Sequence, residues 1–210
     1  MPDSEYRLSF TTGGLLRAEA VAIADVVVST SDAGAARDVA VKRNLVQQRT
    51  TASTVRVTRE VLQRLATLPA AGLELVARGS LDDTRHVMWL AVCLRYRFLR
   101  DFGREVIRDR YTSGRSSLSR EDFDTFWNLQ SSWVDALRNA TASTRAKLRQ
   151  NTFRMLREAG LLSDDDRVLP VLLSPTVAEV ITEVSPELLL SFPIDDAQVA
   201  ALVTVRSGAR

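Results

Sequence analysis

The chain has 210 residues, of which 45% are hydrophobic and 26% charged, a balance typical of globular proteins that form one large or two small domains. Its formal net charge is only +2, which excludes a uniformly basic protein and leaves any polyanion-binding role to local charge clusters. Cys93 is the single cysteine, so an internal disulfide is excluded and a reducing compartment is favoured. The N-terminus lacks a signal-peptide pattern and the apolar run Val87–Leu94 is too short for a membrane span, so we expect a cytoplasmic protein without membrane contact.

Helical patterns dominate residues 1–112. The polar segment 1–12 is expected to be loosely ordered, and the apolar residues from Leu15 to Val28 predict a buried first helix. Helices over about 35–46 and 51–68, joined by a turn at 47–50, outline a helix-turn-helix unit across about 36–68. A longer helix is predicted over His86–Arg110, and its wide apolar stripe makes it the central one. These elements predict an N-terminal helical domain over 1–112.

A second domain is predicted after the linker-like segment 112–119, TSGRSSLS. It covers residues 118–193, and its main helix spans 144–159, with Ser143 or Thr144 as the N-cap and Gly160 as the stop. Two short strands, 161–162 and 167–169, predict a hairpin around the turn 163–166, so this domain resembles a winged helix. Residues 194–210 are expected to form an appendage with a frayed end. The predicted fold class is therefore all-α, with two small helical domains and the hairpin as a candidate wing.

Basic residues cluster in two zones. Residues 36–64 carry seven basic against two acidic residues, a net +5, and residues 143–160 carry five against one, a net +4. The motif TAST occurs at 51–54 and again at 141–144, an offset of 90 residues (141 − 51). Hydroxyl caps, free backbone amides and arginines together suit phosphates, and arginine forks also suit guanine edges. The candidate DNA-binding residues are Lys42, Arg43, Arg49, Arg56, Arg59, Arg145, Lys147, Arg149, Gln150 and Arg154.

Sequence motifs of catalysis or cofactor binding are missing. Neither GxGxxG nor the Walker A motif occurs in the chain. His86 opens an apolar helix without an evident orienting partner, and Cys93 lies within that helix as a small packed hydrophobe would. The carboxylates of Asp164–Asp166 diverge on a turn, which favours a solvated hairpin tip over a metal site. We therefore predict a protein that is not an enzyme and needs no cofactor and no metal.

Several short motifs, in one order, make the chain resemble a known family. They are WLAVC (89–93), YRF (96–98), DFDTF (122–126), STRAKLRQ (143–150), FRMLREAGLL (153–162), VLP (168–170), LSP (173–175) and SPELL (185–189). With them the chain resembles the BrxA family, a small core component of the BREX (bacteriophage exclusion) defence systems of bacteria, over about 14–193. The resemblance implies an all-helical protein with helix-turn-helix units that binds double-stranded DNA without catalysis of its own. It implies nothing for the tail after Pro193 and supplies no base-reading residue.

Three functions remain open at this point. The leading hypothesis is a non-catalytic component of a BREX system that binds duplex DNA through the two basic zones. A second is a protein–protein adaptor, for which Trp127 and Trp133 are candidates if they are exposed. A third is a binder of structured RNA, which competition between duplexes would separate because a helix fits the B-form but not the A-form major groove. We expect a monomer, with duplex DNA and other BREX components as its partners.

Overall fold

Helices account for nearly all of the regular structure. The computed structural model describes residues 6–207, and over this range it contains helices but no β-sheet, which confirms the predicted all-α class. A π-helical turn (Gly103–Ile107) separates two short α-helices, and a 3₁₀ helix (Pro186–Ser191) follows the helix that ends at Val184. The α-helices in chain order are α1 (Arg17–Thr30), α2 (Ala33–Lys42), α3 (Thr51–Leu65), α4 (Ala70–Arg78), α5 (Leu81–Arg95), α6 (Arg97–Phe102), α7 (Arg108–Thr112), α8 (Arg120–Ser131), α9 (Asp135–Arg138), α10 (Ala142–Glu158), α11 (Pro175–Val184) and α12 (Asp196–Ser207).

Tyr96 breaks the helix that the sequence predicts over His86–Arg110, so that prediction is wrong. At Tyr96 the backbone is extended (φ −121°, ψ 96°), which ends α5 and begins α6. The Tyr96 ring is fully buried against Phe10, with the ring centroids 5.3 Å apart, and its hydroxyl donates a hydrogen bond to Glu60. These tertiary contacts outweigh the local helical preference. Hydrophobic periodicity in the sequence cannot reveal such contacts.

Residues 6–12, for which loose order was expected, are attached to the core through Phe10. Residues 1–5 lie outside the described part of the chain. Phe10 is fully buried, and its ring stacks 6.0 Å from that of Phe98. The Phe10 carbonyl accepts a hydrogen bond from Asn151 Nδ2 at 2.9 Å. One aromatic side chain thus fixes a polar segment across the core.

Phe10→Ala is expected to destabilise the protein by about 3–5 kcal/mol, because it removes a buried ring and leaves a cavity. Urea unfolding followed by circular dichroism measures this free energy. Leu172→Ala is the control, since Leu172 is 88% exposed and its loss should cost about 0.5 kcal/mol or less. Equal stability of the two variants would show that the N-terminal segment does not pack as described.

The basic helix α10 begins earlier than the sequence predicts. Thr141, and neither Ser143 nor Thr144, is the N-cap: its Oγ1 accepts a hydrogen bond from the Thr144 amide at 3.1 Å. The predicted stop is confirmed, since Gly160 follows the helix with φ 74°, a left-handed conformation that favours glycine. Beyond it the predicted hairpin is reduced to an isolated antiparallel bridge between Leu162 and Val168, and another bridge joins Arg167 to Ser117, ahead of α8.

The chain after the hairpin returns to the first helices. Helix α11 packs on α4 and α5, and the 3₁₀ helix packs on α5, α6 and the π-helical turn. Trp89 of α5 is fully buried and donates a hydrogen bond from Nε1 to the Ser191 carbonyl at 3.0 Å. Nearly all of the buried apolar side chains form one cluster that runs from Phe10 to Ile194.

The expected appendage after residue 193 is largely helical. Helix α12 contacts α11 and the 3₁₀ helix, and Val199, Leu202 and Val203 pack partly buried against the core. The frayed end predicted for this tail falls mostly on residues 208–210, outside the described residues. Among the helices of residues 6–207, none combines the length and apolar composition that a bilayer crossing requires.

Candidate nucleic-acid interface

Helix α3 presents a basic stripe to solvent. Arg56, Arg59 and Gln63 are exposed and recur at helical spacing on one side, whereas Val57 and Val61 are buried on the other. This amphipathic pattern explains the orientation of the helix, since the apolar side can only be satisfied against the core. The arginines therefore point away from the protein.

The exposed cations of the N-terminal zone have no carboxylate partner among the described residues. Besides Arg56 and Arg59 they are Arg37, Lys42, Arg43 and Arg49. Five of these six are sequence-predicted site residues, and they lie on α2, on α3 and on the connection between them. Their charge is not cancelled locally, so this part of the surface is suited to attract a polyanion.

The connection between α2 and α3 is built around Asn44, which the sequence analysis missed. Asn44 has φ 47°, its Oδ1 accepts hydrogen bonds from the Gln48 amide at 3.0 Å and the Thr54 hydroxyl at 2.9 Å, and its Nδ2 donates to the Gln48 carbonyl at 2.9 Å. Thr50 then caps α3 by accepting from the Ser53 amide at 3.2 Å. Asparagine tolerates the left-handed conformation, and its side chain readily bonds to nearby backbone. An asparagine between two predicted helices was therefore the sequence signal that could have indicated an ordered connection.

Arg64 does not belong to the basic surface, although it counts toward the charge of the N-terminal zone. It is fully buried, and its Nε donates to Glu60 Oε1 at 2.8 Å. Its Nη1 donates to the carbonyls of Gly14 and Leu15, at 2.9 and 3.0 Å. Glu60 also accepts from the Tyr96 hydroxyl, and burial together with this carboxylate raises the pKa of Tyr96. The cluster fixes the inner side of α3 against the turn before α1.

The arginines of α10 are paired with carboxylates, unlike Arg56 and Arg59 of α3. Arg145 Nη2 lies 2.8 Å from Asp124 Oδ1, and Arg149 bonds to the other oxygen of the same carboxylate. Arg154 Nε lies 2.6 Å from Glu158. Each of these three predicted site residues therefore shares its charge with an acidic neighbour. On α10, Lys147 and Gln150 are exposed without an ionic partner, and they bond to each other at 3.2 Å.

A second constraint on α10 comes from Gly14. The Leu15 amide donates to the Glu158 carboxylate, and a Cβ on Gly14 would lie 2.2 Å from Glu158 Oε2. A side chain at position 14 would therefore displace the Glu158 carboxylate from its bond to the Leu15 amide. The turn that Arg64 holds on one side is thus held by α10 on the other.

The repeated TAST motif does not occupy equivalent positions in the two helices. Thr50 caps α3 but Thr141 caps α10, so the caps are 91 residues apart (141 − 50), one more than the motif offset. At 91, the exposed residues correspond: Arg56 with Lys147, and Arg59 with Gln150. At the motif offset of 90, exposed Arg59 would match Arg149, which is half-buried beside Asp124. The identical tetrapeptide is therefore not a structural repeat.

The basic stripe on α3 includes neither the candidate tryptophans nor the two candidate reactive groups. Trp127 is buried, whereas Trp133 is 69% exposed. Cys93 is buried, which raises the pKa of its thiol. His86 is buried as well, which lowers its pKa, and its Nδ1 has no hydrogen-bond partner among the described residues. Within the same residues no group of three or more histidine, cysteine or acidic side chains could hold a metal ion.

Comparisons with known proteins identify the family. The family model of BrxA matches residues 4–185. A protein of Escherichia coli O9:H4 (strain HS) named "BREX protein BrxA" is 25% identical over 181 residues, which are 85% of each chain. A protein of the same name from Bacillus cereus (strain H3081.97) is 23% identical over 128 residues, 61% of this chain and 64% of that relative.

A solved structure shares the fold. The crystal structure of an uncharacterized protein from Magnetospirillum magneticum has a TM-score of 0.74 and 22% identity, and the match covers 90% of this chain and 98% of that one. At this identity the likeness concerns the fold alone. Family membership rests instead on the sequence match to the family model, which spans most of the chain. The chain therefore belongs to the BrxA family.

Proposed function

We propose that this chain is a non-catalytic, double-stranded-DNA-binding component of a BREX phage-defence system. The carrying observation is the set of six exposed cations on α2, α3 and their connection, which have no ionic partner among the described residues. Membership of the BrxA family supports the defence context, because the relatives in E. coli and B. cereus are named as BREX proteins.

Helix α3 suits recognition of a duplex. With 15 residues it extends about 22 Å, and an α-helix fits the major groove of B-form DNA. Together with α2 it forms a helix-turn-helix unit in which Arg56 and Arg59 face the groove. Residues 43–50 make the connection longer than the usual three or four residues, and Asn44 keeps it ordered.

The second unit is proposed as an auxiliary DNA contact. Within it, α8, the short α9, α10 and the bridge between Leu162 and Val168 are the features that support a winged-helix arrangement. Lys147 and Gln150 lie on the exposed face of α10, while carboxylates hold Arg145, Arg149 and Arg154. We therefore assign the larger part of the binding energy to the N-terminal unit, with the two units over 1–112 and 118–193.

Binding of a fluorescent duplex, followed by anisotropy across a salt series, tests the proposal. If about six phosphates are neutralised, log affinity falls with log salt at a slope of roughly −5. Duplex RNA of the same sequence should compete at least about tenfold more weakly, because its deep major groove excludes α3. No binding at low salt would refute the function, and equal competition by RNA would replace duplex DNA with structured RNA.

Asp124→Asn is expected to raise the affinity for duplex DNA about two- to fivefold. The change removes the charge that holds Arg145 and Arg149, and partly exposed ion pairs are worth about 1 kcal/mol or less. The matched control is Asp109→Asn, which frees Arg115, an arginine outside the proposed interface. Unchanged affinity in the anisotropy assay would remove Arg145 and Arg149 from the interface.

Trp133 favours a second candidate function, that of an adaptor. It is 69% exposed, and Leu129, one helical turn earlier, is 51% exposed. Exposed aromatic side chains of this kind dominate protein–protein interfaces. Trp133→Ala should leave DNA affinity unchanged while weakening association with another BREX component in a pairwise binding assay.

Light scattering of the isolated chain tests the proposed monomeric state, for which the expected mass is 23.3 kDa.

A further inference from the structure

A concave basic site lies beside α10, apart from the stripe on α3. The groove has a volume of about 520 Å³ and runs between the start of α8 and one side of α10. Four of its lining residues are cationic and none is acidic: Arg120, Lys147, Arg149 and Arg157. The groove is also lined by Ser143, Gln150 and the buried Phe153. Its size falls within the range of small-ligand sites.

Two of the arginines are oriented from outside the groove. Asp124 binds Arg149, and Asp166 binds Arg157, whose guanidinium carbon lies 5.9 Å from the centre of the Phe153 ring. A guanidinium carries five N–H donors, so one carboxylate leaves others free to face a ligand. These contacts hold both arginines at the groove in the absence of a ligand.

The other two cations are uncompensated. Arg120 and Lys147 are exposed and have no ionic partner in the described part of the chain. Four cations against the carboxylates of Asp124 and Asp166 leave a local charge of +2 (4 − 2). The arginines present planar N–H donors around a concavity with two net positive charges. This arrangement suits a phosphate as ligand better than it suits a single carboxylate.

We propose that the groove formed by Arg120, Lys147, Arg149 and Arg157 is a phosphate-ester-binding site. Its ligand is a phosphate of a nucleic-acid backbone or of a free nucleotide, which present the same chemistry. In the first case the inference rests on the proposed DNA-binding function, and the groove positions one strand beside α10. In the second case the groove acts independently of α3.

Nuclear magnetic resonance of the arginine side-chain Nε–H groups in the full chain tests the site. Inorganic phosphate, AMP and a short DNA duplex are titrated separately at constant ionic strength. The expected result is a saturable shift of the Arg120, Arg149 and Arg157 signals with at least one probe. AMP binding about tenfold more tightly than phosphate would assign a nucleotide, and shifts with the duplex alone would assign backbone phosphate.

Arg120→Ala combined with Lys147→Ala should weaken the saturable binding at least about tenfold without disturbing the fold, because both residues are exposed and neither has an ionic partner in the described structure. Arg104→Ala, which removes an exposed cation elsewhere, should leave it unchanged. If no probe shifts the groove arginines, the site is refuted, even when the duplex shifts Arg56 and Arg59 and the DNA-binding function stands. Shifts of the groove signals with AMP but no duplex binding would support the site and refute the DNA-binding function.

Discussion

Replacing both Arg56 and Arg59 with alanine is expected to lower the affinity for duplex DNA by at least about 30-fold, because two losses of about 1 kcal/mol or more add up to about 2 kcal/mol. Each arginine that contacts a base or phosphate is worth about 1–3 kcal/mol, and the two side chains lie on the same exposed stripe of α3. The salt slope should become shallower by about one for each arginine that faces a phosphate. Anisotropy titrations across a salt series measure both quantities.

The double variant should keep the thermal stability of the original protein. Both side chains are exposed without an ionic partner in the described residues, and removing two like charges at i and i+3 relieves a small repulsion. The matched control combines Arg7→Ala with Arg104→Ala, which removes the same charge at exposed positions outside α2 and α3. If both double variants bind DNA equally well, net charge rather than α3 determines affinity, and the proposed interface is wrong.

The orientation of α3 was predictable because it depends on local information. Apolar and basic residues alternate along α3 with a helical period, so its buried and exposed sides follow from the sequence. The same reasoning succeeded for the stop at Gly160 and the all-α class. Such features depend on neighbours within one or two turns.

The state of the α10 arginines depends on distant partners, and the sequence could not indicate it. Asp124 is 21 residues from Arg145 and 25 from Arg149, and the choice of partner requires the packing of α8 on α10. Tyr96 breaks a strongly periodic helix for the same reason, since Glu60, its partner, is 36 residues away. The TAST repeat was misleading because the N-cap of α10 is the first residue of the motif, whereas the N-cap of α3 is the residue before it.

Arg64→Ala is expected to cost about 3–5 kcal/mol of the free energy of unfolding. The substitution removes three hydrogen bonds and leaves the Glu60 carboxylate, which is 6% exposed, without its closest cationic partner. For a chain of this size the loss corresponds to a fall in Tm of roughly 10 °C. Thermal unfolding followed by calorimetry, supported by urea unfolding, measures it.

Arg78→Ala is the control for the general loss of an ion pair. Arg78 lies 3.2 Å from Glu74 at the same i,i+4 spacing as Arg64 and Glu60, but its side chain is 63% exposed. Its replacement should cost about 0.5 kcal/mol or less, because solvent screens exposed pairs. Similar losses for Arg64→Ala and Arg78→Ala would contradict the burial of the Glu60–Arg64 pair.

A double-mutant cycle separates the ion pair from the packing of its stems. If the cost of Arg64→Ala arises from the stranded Glu60 charge, adding Glu60→Ala should destabilise far less than the two single changes combined, by about 1–3 kcal/mol. Full restoration is not expected, since the carbonyls of Gly14 and Leu15 would still lack their donor and the Tyr96 hydroxyl its acceptor. Because those carbonyls belong to the turn that also contacts Glu158 of α10, a strictly additive result would mean that Arg64 stabilises this turn rather than the buried charge.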